Sequence, residues 1–156
     1  MYFIDITGLK KDIVKKIFTE SDRFTYIIVY LLLDTFFLEA CSHMTLDSSP
    51  TLIDYANSFV TLISLFLGGY FIFKANGGNE GEDFAGKFFS LTWVRGIRFL
   101  LITIPIILIL EILNESFLNL STLNLEIVYF VIYSAFTFSI YFYAYQDILE
   151  IRRQER

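Results

Sequence analysis

One cysteine, one histidine and two prolines are all that this chain holds of those residue types. With Cys41 alone, no intrachain disulfide can form and a cysteine-rich metal site is excluded. With His43 alone, no Ser-His-Asp or Cys-His constellation is readable, because one imidazole would have to serve every proton transfer. Glu39 and His43, four apart and close to Cys41 and Asp47, are too few for a zinc site, which takes three or four placed ligands. Neither an enzyme nor a cofactor is therefore expected.

Cations are missing from two whole regions. The loops around His43 to Pro50 and Asn114 to Leu123 contain no Lys or Arg, only Asp47 and Glu115. All twelve cations fall elsewhere: Lys10, Lys11, Lys15, Lys16 and Arg23; then Lys74, Lys87, Arg95 and Arg98; then Arg152, Arg153 and Arg156. Short translocated loops lack Lys and Arg whereas cytoplasmic ones retain them, so both termini and the middle loop are expected inside. The net charge of -5 is segregated rather than spread, and nucleic acid is not an expected partner.

Apolar residues, by contrast, are abundant. The 156 residues are 55% hydrophobic and 19% aromatic, with a mean hydropathy of +0.57, beyond the usual range of a soluble domain. A helical crossing takes about 20 mostly apolar residues. Four stretches qualify, at about 24–42, 51–74, 88–113 and 125–146. The expected fold is an all-α integral membrane four-helix bundle occupying 1–156 as one transmembrane domain. A cleaved leader is not expected, because the region before the first apolar run is long and Asp34 interrupts that run.

Local chemistry sets the breaks. Ser21 and Asp22 break the chain before the first stretch and could cap it, Pro50 precedes the second, and Asn76-Gly77-Gly78-Asn79-Glu80-Gly81-Glu82-Asp83 reads as a loop. Pro105 is expected to kink the third helix, and the residues from Phe84 to Arg98 are ambiguous between helix and interface. The fourth ends in a charged helical extension from Asp147. Over about 8–20, Leu9, Ile13, Val14, Ile17 and Phe18 share a helix face opposite the lysines. That amphipathic pattern predicts a helix lying in the membrane interface or, alternatively, one docked on the rest of the protein.

Two motifs fail on mechanism or context. Gly81 to Lys87 has the G-x-x-x-x-G-K spacing of a phosphate loop, but Phe88 stands where Ser or Thr should hold the metal and no strand precedes it. Asn114-Glu115-Ser116 and Asn119-Leu120-Ser121 fit the glycosylation sequon, and nothing else points to a secretory-pathway protein.

The informative residues are polar groups inside the spans. Asp34 lies ten residues after Phe24, about 15 Å along a helix and so near the bilayer midplane. An unpaired charge there costs at least ~2.5–3.5 kcal/mol, which makes a buried Asp34–Arg98 pair an attractive expectation, with Arg95 one turn away. Asp54, Asn57, Thr61 and Ser64 form a stripe on the second span, continued by Gly68. Ser134, Thr137, Tyr141 and Tyr145 form another on the fourth. Such stripes let helices approach closely, or line a hydrated path. The expected function is a small protein of the bacterial cytoplasmic membrane that binds the bilayer and another membrane protein or its own copies, as an accessory or immunity-type subunit. The rival is a homo-oligomeric ion channel or ion-coupled carrier built around Asp34 and Arg98.

Overall fold

A computed structural model describes the backbone of residues 2–43, 51–118 and 120–155, and the side chains of the first long helix as far as Leu33. The described chain is all-helical: α1 (Ile6–Val14), α2 (Glu20–His43), α3 (Leu52–Asn76), α4 (Phe84–Leu113) and α5 (Thr122–Glu155). A 3-10 turn, Gly78–Glu80, links α3 to α4, and a π turn, Asn114–Leu118, closes α4. Three of these helices are long and apolar enough to cross a membrane: α3, α4 with its π turn, and α5.

Side chains at the helix starts account for the boundaries. Thr19 Oγ1 and Asp22 exchange bonds at the head of α2: Asp22 Oδ2 accepts from the Thr19 hydroxyl at 2.6 Å and from its backbone N–H at 3.0 Å. This cap stands two residues before the Ser21–Asp22 break expected from sequence. Thr51 and Asp54 form the same reciprocal box on α3, so Asp54 belongs to a cap and not to a polar stripe. Asp83, in the left-handed region at φ 52°, caps α4 by accepting from the Gly86 N–H at 3.2 Å. The ambiguous stretch from Phe84 to Arg98 is helical throughout, and α4 runs on through Pro105 without a break.

The predicted N-terminal helix is shorter than 8–20. It ends at Val14, Lys16 takes φ 56°, and Ile17 turns outward while Phe18 turns inward. Its apolar face, Ile6, Leu9 and Ile13, is covered by protein: these residues join Leu91, Trp93 and Val94 of α4 and Ala144, Ile148 and Ile151 of α5 in one buried cluster. The packing of α1 agrees with the docked alternative.

That cluster lies at one end of the molecule, hereafter the base. The heads of α2 and α4 and the feet of α3 and α5 meet there, so α2 and α4 run away from the base while α3 and α5 run toward it. From the base outward, the long helices pack as a row. Tyr30 of α2 meets Phe89 of α4 at 5.3 Å, and Phe99 of α4 meets Phe136 and Tyr143 of α5. α5 then lies parallel to α3, from the Thr61–Tyr133 level to the Ala75–Arg152 level. Among the described residues the α2 backbone does not approach that of α3, and α3 reaches α4 only weakly, with Phe73–Phe84 and Asn76–Lys87 at the base. The row leaves its apolar flanks open: no more than 11% of the most apolar window of any of the three long helices is buried.

Candidate functional site

Two polar assemblies emerge, an ionic base and a seam between α3 and α5. The base is centred on Asp147, one turn below Tyr143 on α5. Its carboxylate accepts from Arg95 at both oxygens, Nε at 2.7 Å and Nη2 at 2.8 Å, while Lys10 Nζ lies 3.2 Å away. Such a two-pronged bond is the geometry a planar guanidinium favours. The Arg95 guanidinium also stacks over the Tyr143 ring at 5.0 Å. Asp147 is 2% exposed, so this charge is buried but doubly compensated. Lys10 reaches Glu150 at 2.5 Å as well. Burial opposes the Lys10 charge, but the Glu150 and Asp147 carboxylates outweigh it and raise its pKa.

A second buried cation, Lys87, ties α4 to two feet at once. Its Nζ donates to Glu155 at 2.9 Å and to Asn76 Oδ1 at 3.3 Å, while Asn76 Nδ2 donates to the Glu82 carbonyl. The lysine of the phosphate-loop spacing is thus committed to a carboxylate. At the head of α4, burial pushes the Asp83 carboxyl up, an effect that the Arg23 guanidinium 2.7 Å away only partly offsets.

The seam gathers most of the two sequence stripes. Thr61 Oγ1 donates to the Asn57 carbonyl at 2.9 Å and lies 3.3 Å from the Tyr133 hydroxyl. Gly68 allows α5 to come close: a Cβ there would sit 2.5 Å from Tyr141 Cγ. Thr137 is buried, and Ser64 and Tyr141 line a shared groove. Among the described residues, Asn57 Oδ1 and Ser134 Oγ are buried without a hydrogen-bond partner. The seam is therefore close helix packing with two orphaned polar atoms inside it.

The expected single polar interior divides. Arg95 belongs to the base through Asp147, a partner that sequence reading did not single out. Arg98 is half-buried and has no ion-pair partner among the described residues. The side chain of Asp34 lies outside the described residues, as do those of Glu39, Cys41, His43 and Asp47. Asn114 Oδ1 accepts from the Leu120 N–H at 2.8 Å, and Asn119 lies outside the described residues. No family model, curated protein or solved structure matches this chain.

One signal in the sequence pointed to the base. Ala144, Ile148 and Ile151 recur at helical spacing within the charged tail, and that stripe brings Asp147 and Glu150 alongside the docked α1.

Proposed function

We propose that the chain is a non-enzymatic, multi-pass protein of the bacterial cytoplasmic membrane that acts by binding another membrane component, as an accessory or immunity-type subunit. In this reading α2 is a fourth crossing and both termini are cytoplasmic. The topology is supported by the cations: every described Lys and Arg sits on α1 or its following turn, at the head of α2, on the first half of α4, or at the feet of α3 and α5. Retention of positive charge on one side during insertion favours a cytoplasmic base.

The observation that carries the binding role is the open row. α3 presents Tyr55, Phe59, Leu62 and Phe66 outward, and α4 presents Ile102, Ile106 and Ile109. A row that exposes these flanks offers long helical faces to a neighbour in the membrane, where close packing and interhelical hydrogen bonds drive association. Recovery from native membranes in a mild detergent tests it. A stoichiometric second membrane protein is the expected result, and a chain always recovered alone counts against the role.

A second reading, a homo-oligomeric ion channel or ion-coupled carrier, is favoured by the orphaned Asn57 Oδ1 and Ser134 Oγ, which water would satisfy. It requires flux in liposomes that Asp34→Asn alters. Flux no greater than in empty liposomes would remove it.

A further inference from the structure

Two hollows lie end to end along the same side of the α3/α5 pair. The first, of about 420 Å³, is an apolar groove between Ser64, Leu67 and Phe71 of α3 and Phe138, Phe142 and Tyr145 of α5. The second, of about 730 Å³, opens at the base among Lys74, Gly78, Glu80, Leu149, Arg152 and Arg153. Helical periodicity joins them. On α3 the positions 64, 67, 71 and 74 recur every three or four residues, as do 138, 142, 145, 149 and 152 on α5, so both hollows follow one helix face on each side.

Their chemistry changes along this line. The groove is lined by aromatic and aliphatic side chains, whereas the mouth carries three cations against one carboxylate, Glu80. None of the three is within ion-pair distance of a carboxylate among the described residues. Arg152 is held in place: its Nη1 donates to the Ala75 carbonyl at 3.3 Å. Its guanidinium packs against Gly77, where φ 110° and the absence of a Cβ leave the necessary room. Most of the Arg152 donors remain to be satisfied from the mouth. Lys74 Nζ is poised over the Tyr70 ring at 5.6 Å.

Length fits the same occupant. From Lys74 to Ser64 is ten residues, about 15 Å of helix, or roughly half of a 30 Å hydrocarbon core. A groove that begins at a cationic mouth and runs apolar for one leaflet matches a lipid with its acyl chain along α3/α5 and its phosphate among the cations. We infer that the α3/α5 groove is a binding site for one anionic phospholipid, with Lys74, Arg152 and Arg153 receiving the phosphate and Leu67, Phe71, Phe138 and Phe142 lining the chain. The inference rests on the membrane location of these helices and not on the proposed partner-binding role.

The test is native mass spectrometry of the full chain in detergent, titrated with dioleoyl phosphatidylglycerol or dioleoyl phosphatidylcholine. One phosphatidylglycerol is expected to bind at least tenfold more tightly than phosphatidylcholine, and Lys74→Gln/Arg152→Gln/Arg153→Gln is expected to abolish that preference. Lys11→Gln/Lys15→Gln, which removes two exposed cations away from the groove, should leave it intact. Equal loss in both variants would reduce the preference to general electrostatics and overturn the site. Displacement of the lipid by inorganic phosphate alone would do the same, because it would show an anion site indifferent to the groove. A phosphatidylglycerol with a diazirine on its acyl chain needs no variant. Labelling within 63–71 and 138–145 supports the site, and labelling spread over all apolar helices refutes it.

Discussion

Asp147→Asn removes one negative charge from the centre of the base and leaves the side-chain shape almost unchanged. Its carboxylate is 3% exposed, and the partners it would leave behind, Arg95 and Lys10, are each 16% exposed. Lys10 keeps Glu150 at 2.5 Å, so the larger penalty falls on Arg95, whose bonds of 2.7 and 2.8 Å both end on this carboxylate. Breaking a buried ion pair from one side costs about 3–5 kcal/mol, because the remaining charge stays desolvated. At about 2–4 °C per kcal/mol for a chain of this size, the unfolding midpoint should fall by roughly 6–20 °C. Removing both partners behaves differently. Arg95→Met/Asp147→Leu replaces the pair with apolar side chains and is expected to lie within about 1 kcal/mol of the parent. Thermal unfolding in detergent, followed by Trp93 fluorescence, reads Asp147→Asn and the four corners of the cycle made by the parent, Arg95→Met, Asp147→Leu and the double variant. Loss below about 1 kcal/mol for Asp147→Asn, or a double variant equal to the sum of the singles, would refute the assignment of Asp147 as the buried counter-charge.

Gly68→Ala puts a Cβ into Tyr141, and the forced separation of α3 and α5 should cost about 1–3 kcal/mol, outweighing alanine's ~1 kcal/mol helix advantage; unfolding in detergent measures it. Ser134→Ala deletes a buried hydroxyl that has no partner among the described residues, so stability should be unchanged or rise by up to about 1 kcal/mol; a loss of more than that would mean the hydroxyl is satisfied. The folded-state pKa of Lys10 is raised, so its contribution is complete below its unfolded value near ~10.4 and is lost as pH rises through the folded one. Between pH 9 and 11.5 the stability of the parent should therefore fall more steeply than that of Lys10→Met, and equal slopes would contradict the pairing. Finally, Asn79→Cys in a Cys41→Ala background should react with a membrane-impermeant maleimide only after the cells are opened; labelling of intact cells would place the base outside.

The runs of apolar residues made the long helices legible, as did the turn chemistry of Pro50 and of residues 76–83. Capping was less legible, because Thr19 and Ser21 are equally good caps locally and only the bonds to Asp22 decide between them. The first turns of α4 were ambiguous for a physical reason. Lys87 and Arg95 read as interfacial until Glu155 and Asp147 are brought beside them, and those partners lie 68 and 52 residues further along. The same holds for α1, whose lysines suggested headgroups while Lys10 in fact faces Glu150. The stripes on α3 and α5 were readable at the level of periodicity. That they face one another, and that Arg95 belongs to a different assembly, required the parallel pairing of α3 with α5.

The docking of α1 on α5 has a consequence in time. Lys10 and Glu150 are 140 residues apart, so the α5 share of the surface that covers Ile6, Leu9 and Ile13 is made long after α1 itself. At ~5–20 residues per second, the nascent α1 spends on the order of 7–30 s without the α5 half of its cover. Until then Leu91, Trp93 and Val94 of α4 can supply only one wall of the cluster, and completion of α5 is the event that closes it.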